Sequence, residues 1–188
     1  WVTPDHLTLL ALIAAIVICA GYAASNVNLN WLWASVAGYV AHWFGDSLDG
    51  SLARYRAIER PRYGYFVDHS ADALAGLLIA GGMSLSPFLR LDVSLIALAG
   101  YYLLAIYAFL AARVTDELKL SYLAAGPTEL RLVLIALTVS MYCVGPSVPT
   151  VMALGWFDLL VAATGALLII LSIIQTGMTA RRLAMRGE

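Results

Sequence analysis

Residues 46–72 read DSLDGSLARYRAIERPRYGYFVDHSAD. Four aspartates stand in two pairs: Asp46 and Asp49 three apart, Asp68 and Asp72 four apart. Residues three or four apart share a helix face, so each pair presents two carboxylates side by side. Both pairs lie inside or at the ends of apolar runs, and the loop from Arg54 to Tyr63 allows one pair to fold against the other. A single Asp at the centre of a membrane-spanning helix costs roughly 2.5–3.5 kcal/mol on insertion scales. Four clustered carboxylates do not all ionise without a cation between them. Short, hard oxygen ligands of this kind suit Mg²⁺ or Mn²⁺, and two such ions ~3.5–4 Å apart clamp a phosphoryl group.

The chain around this stretch is apolar. Its 188 residues are 62% hydrophobic and only 12% charged, with a mean hydropathy of +0.84. Those values exclude an ordinary soluble domain and point to a polytopic membrane protein. The net charge of −1 is uninformative and its distribution is what matters; no nucleic-acid partner is expected. Cys19 and Cys143 sit in apolar runs and read as small hydrophobes. No basic segment precedes the first apolar run, so no cleavable signal peptide is expected.

The pattern predicts an all-α bundle of six transmembrane helices forming one domain over residues 1–188. Thr3, Pro4 and Asp5 have the character of a helix start: a cap, a first-turn proline and an acid at the positive end. A span from Leu7 to Ala24 follows. Trp31 and Trp33 open the second helix as interface aromatics, and it runs to about Arg54. The third begins near Tyr65 and ends near Ser84. Further spans are expected at Val93–Ala112, from Leu130 to Cys143, and from Trp156 to about Thr179. Six helices of ~20 residues consume most of the chain and leave no room for a separate soluble catalytic domain. Of the cationic residues, ten fall on one side of this topology and Arg90 alone on the other. That bias places both termini and the second-to-third loop in the cytoplasm, with the acids shallowly buried and open to it. Asp158 falls near the opposite interface, where solvation accounts for it.

The string Asp46-x2-Asp49-Gly50-x2-Ala53-Arg54-x9-Gly64-x3-Asp68-x3-Asp72 resembles the motif of the CDP-alcohol phosphotransferase family, also called CDP-alcohol phosphatidyltransferases. Eight positions are fixed in type, and a chance match at a given start is on the order of one in 10⁹. The Asp68-His69 step and the Gly126-Pro127-Thr128-Glu129 segment also partly resemble the choline/ethanolamine phosphotransferase branch, while the same segment with Arg131 resembles the Gly-x-x-Glu-Arg element of the CDP-diacylglycerol-using branch. The resemblance implies phospholipid synthesis: a hydroxyl attacks the phosphate bearing the alcohol of a CDP-alcohol, and CMP leaves. It implies two ions, Mg²⁺ or Mn²⁺, held by Asp46, Asp49, Asp68 and Asp72. It also implies a CDP site at Gly50, Ala53, Arg54 and Gly64, with Thr3, Pro4 and Asp5 standing where the family has Thr-Pro-Asn. For Thr3 and Pro4, helix capping is an equal alternative.

Asp72 and His69 are both candidates for the base, His69 alternatively orienting a metal ligand. Glu129 either supports His69 or sits at a helix start where the dipole favours it. Arg113, Lys119 and Arg131 read either as an acceptor-phosphate site or as ordinary cytoplasmic cations. His42, one turn from Asp46, reads as a packing residue.

Three functional readings follow. In the first, a CDP-linked headgroup goes to a lipid alcohol. In the second, CDP-diacylglycerol reacts with a soluble alcohol such as glycerol 3-phosphate, serine or inositol phosphate. The third is a cation transporter using the acids as a relay. The family resemblance further implies a homodimer in the inner membrane of a bacterium or archaeon, and Gly76, Ala80 and Gly81 offer a close-contact face for it.

Overall fold

The computed structural model describes residues 1–115, 127–146 and 154–186. Among them lie six α-helices and no strand: α1 (Pro4–Ala24), α2 (Leu32–Tyr55), α3 (Pro61–Ser84), α4 (Leu91–Thr115), α5 (Pro127–Val144) and α6 (Trp156–Arg186). A single 3-10 turn, Leu29–Trp31, precedes α2. The all-α expectation holds, and the helix ends differ from the pattern reading where local chemistry extends them. α1 starts at Pro4, capped by Thr3, whose hydroxyl accepts the His6 N–H while the His6 ring accepts the Thr3 N–H. α3 starts at Pro61, four residues before Tyr65, because proline suits the first helical position. α2 ends where Ala57 takes a φ of 52° and the Ile58 N–H bonds back to the Ala53 carbonyl, closing the last turn.

On composition, α1, α4 and α6 are long and apolar enough to cross a bilayer. α2 and α3 have 24 residues each, also a spanning length, and their acids lower the hydropathy. Large apolar side chains cover the outer surface, among them Leu9, Ile13 and Ile16 on α1 and Leu167, Ile170 and Ile173 on α6. A lipid environment accounts for that surface; water does not.

The packed interior lies at one end. Ile18 and Tyr22 from α1, Leu32 and Tyr39 from α2, Met83 from α3, Val93 from α4, Met141 from α5 and Phe157 from α6 form one buried cluster. Within it the Tyr22 hydroxyl meets those of Thr138 (2.5 Å) and Tyr39 (3.3 Å), satisfying three buried polar groups. All four acids of the 46–72 stretch lie toward the other end of the same helices.

Close helix contact comes from glycine. A Cβ on Gly45 would stand 2.6 Å from the Leu7 carbonyl oxygen, so α1 and α2 meet backbone to backbone there. α4 and α6 meet in the same way at Gly100 and Gly165. The small residues of α3 serve a contact inside the chain: Tyr101 covers Gly76, and Ser94 donates to the Ala80 carbonyl at 2.7 Å. Only Gly81 of the three faces open space.

Asp158 differs from expectation. It is buried, accepting the Arg90 N–H at 2.8 Å and the Gly155 N–H at 2.9 Å. One carboxylate thus caps the starts of both α4 and α6, which satisfies backbone donors that solvent would otherwise have to reach.

Candidate active site

Three helix ends build a cleft of about 140 Å³. The first turns of α1 contribute Pro4, Asp5 and Thr8. The end of α2 contributes Asp49, Gly50 and Ala53. The start of α3 contributes Tyr63, Gly64, Val67 and Asp68, with Ile58 and Arg60 from the α2–α3 connection. A Cβ on Gly64 would meet nothing within 4 Å, so that backbone lies open to the cleft.

The carboxylates converge as the spacing predicts. Asp46 lies within electrostatic reach of Asp49, Asp68 and Asp72, across the α2–α3 junction. Asp68, His69 and Asp72 each bring a donor atom to within 4.8 Å of one another. Two features the spacing does not reveal hold these acids in place. The Thr8 hydroxyl of α1 donates to Asp49 Oδ2 at 2.7 Å. Arg131 of α5 reaches Asp46 Oδ2 at 2.6 Å. His42 is buried one turn before Asp46, as a packing residue would be, and shares the field of Arg131 and Asp46.

Asp5 and Arg60 close the outer wall. Two hydrogen bonds of 2.7 and 2.8 Å join them, and the Arg60 guanidinium lies 4.0 Å above the Tyr63 ring. The Asp5 hydrogen bonds raise the Arg60 pKa further above its usual range. Arg56 donates to the Val2 carbonyl and ties the α2–α3 connection to the chain's first residues.

Arg54 is exposed, bonds Ser51 at 3.2 Å and lies over Gly50. Thr3 acts as the α1 cap and stands outside the cleft lining, whereas Pro4 and Asp5 line it. Glu129 is exposed in the first turn of α5, two residues before Arg131. Arg113 is exposed at the end of α4. Lys119 and Gly126 lie outside the described residues.

The sequence model of the CDP-alcohol phosphatidyltransferases matches residues 1–168, nearly the whole chain and every residue of this cleft. The chain belongs to the CDP-alcohol phosphatidyltransferase family. It is therefore an integral membrane protein of a transferase family, and the cleft lies on the stretch that carries the family motif. Among curated proteins it is similar to the archaetidylinositol phosphate synthase of Pyrococcus horikoshii. The two are 27% identical over 104 residues, which cover 55% of this chain and 52% of that protein. The chain thus spans about half the length of the relative it matches. No solved structure matches it.

The donor set fits the divalent metal on which a phosphatidyltransferase of this motif would depend. Four carboxylates supply hard oxygens, and no thiolate or thioether stands among the cleft residues. Arg131 is a counter-charge to Asp46, one of the four.

Proposed function

We propose that this chain transfers a substituted phosphate from a CDP-alcohol to an acceptor hydroxyl and releases CMP, as a step of phospholipid synthesis. The observation that carries this reading is the convergence of Asp46, Asp49, Asp68 and Asp72 beside the open backbone at Gly64, within residues matched by the family. Asp46, Asp49, Asp68 and Asp72 would hold Mg²⁺ or Mn²⁺, two ions in the full site. When bound, the metal neutralises the diphosphate and stabilises the leaving group.

The residues of the chain do the rest. Gly50, Ala53 and Gly64 leave room for the CDP moiety to lie along the backbone. Arg54 supplies a charge for its phosphates. The acceptor oxygen attacks the phosphorus that bears the alcohol, and the bond from that phosphorus to the CMP phosphate oxygen breaks. CMP departs with the electron pair. The hydroxyl proton passes to Asp72 or to His69, which share one donor cluster.

A CDP-linked headgroup and a lipid alcohol are the favoured pair. The Asp68-His69 step, which resembles the choline/ethanolamine phosphotransferase branch, supports that choice. The excess of cations at the acid end supports a cytoplasm-facing site, and the family supports a homodimer.

The test is CMP release by the purified protein in nanodiscs with Mg²⁺ or Mn²⁺. One arm offers CDP-choline or CDP-ethanolamine with diacylglycerol. The other offers CDP-diacylglycerol with soluble alcohols, inositol phosphate included. Metal-dependent CMP that vanishes in Asp68→Asn is the expected result, and the productive arm names the acceptor. A folded protein that binds no CDP contradicts the reading.

A further inference from the structure

His69 is placed unlike the other candidate residues. Its ring is held on two sides: Tyr65 stands perpendicular to it at 4.3 Å, one turn earlier on α3, and Phe109 of α4 lies tilted at 4.7 Å. This slot fixes the imidazole plane against the inner side of α3. Only 16% of the side chain is exposed. Within it, Nδ1 stands 3.8 Å from Asp68 Oδ2. That separation is too long for a hydrogen bond. It lies between the separations that adjacent and opposite donors on one cation take. Donors each ~2.1 Å from an ion are about 3.0 Å apart when adjacent and about 4.2 Å apart when opposite. Asp72 completes the group within 4.8 Å.

We infer that His69 is a direct ligand, with Asp68 and Asp72, of one of the metal ions, and that this nitrogen biases the site toward Mn²⁺ over Mg²⁺. The inference rests on the transferase reading and deepens it. The chemical reason lies in the donor. Mg²⁺ takes oxygen ligands almost exclusively and gains little from imidazole, whereas transition metals accept it readily. The slot strengthens the case, because a ligand ring whose orientation is fixed by packing loses little freedom on binding. A ring nitrogen committed to the ion is not free to take the acceptor proton, so that role passes to the second carboxylate oxygen of Asp72.

Mn²⁺ bound to the full chain in nanodiscs, examined by pulsed EPR, tests this. Nitrogen hyperfine modulation is expected on the bound Mn²⁺. It should vanish in His69→Gln and persist in His42→Gln, the other imidazole near the cluster. Mg²⁺ should displace Mn²⁺ from the wild type only at more than tenfold excess, and near parity in His69→Gln. The thermal unfolding midpoint of both variants, measured in chelator, serves as the folding control. Bound Mn²⁺ without nitrogen modulation, or modulation that survives His69→Gln, overturns the inference and leaves the transferase reading standing. A folded protein that takes up no Mn²⁺ but releases CMP with Mg²⁺ also overturns it. No divalent binding of any kind would remove the metal reading beneath it.

Discussion

Arg131 Nη2 and Asp46 Oδ2 stand 2.6 Å apart, joining α5 to α2 across 85 residues of sequence. Neither side chain is more than a fifth exposed, at 11% and 19%. Removing one partner of such a pair leaves a part-buried charge without its counter-ion, for which the roughly 3–5 kcal/mol of a fully buried pair is an upper bound. Arg131→Met is therefore expected to lower the midpoint of thermal unfolding measured in chelator. Adding Mn²⁺ should recover part of the loss, because the ion replaces the missing positive charge. An unchanged midpoint in chelator would mean that the pair contributes nothing.

Thr8 supplies the hydrogen bond that orients Asp49. Partners of metal-ligating carboxylates commonly change affinity or activity by about 10–100-fold. Thr8→Val keeps the shape and loses the donor, so metal affinity is expected to fall in that range. Thr8→Ser should restore it. Equal Mn²⁺ titrations of Thr8→Val and wild type would refute the role.

Two glycines predict opposite outcomes. A methyl at Gly45 would press on the Leu7 carbonyl oxygen at 2.6 Å, and backbone does not yield cheaply. Gly45→Ala should lose about 1–3 kcal/mol by overpacking, read as a lower unfolding midpoint. Gly64→Ala meets open space. Its midpoint should stay near wild type while KM for the CDP-alcohol rises, since the methyl enters the cleft. If Gly64→Ala leaves KM unchanged, the CDP moiety lies elsewhere.

Arg60 and Asp5 are solvent-facing, so their pairing is expected to matter for the wall of the cleft rather than for stability. Arg60→Ala should unfold at the wild-type temperature and raise KM several-fold. Salt should weaken wild-type substrate binding and have less effect on the variant. A normal KM would detach this pair from the site.

The fold and the acids were legible in the sequence for local reasons. Helix length and apolarity set the spans, and the spacings from Asp46 to Asp49 and from Asp68 to Asp72 set a shared face. What holds the acids was not legible. Thr8 and Asp49 are 41 residues apart, Asp5 and Arg60 55 apart, and Arg131 and Asp46 85 apart. No periodicity encodes those meetings; they follow from which helices pack. Asp158 escaped for another reason: an acid at a helix start has the same pattern in solvent as when it bonds a neighbouring helix. The Asp68-His69 step did mark His69, but its aromatic slot needs Phe109, a residue of α4 that looks lipid-facing in sequence.

Asp158 has a mechanical meaning as well. By bonding the starts of both α4 and α6, it bolts two parallel rods at one end. Farther along, Tyr107 and Thr179 pin them again at 2.8 Å. Phe109 lies on one of them, 19 residues from Arg90, or about 28 Å at 1.5 Å per residue. The ring that steadies His69 therefore sits on a helix tied to its neighbour at both ends.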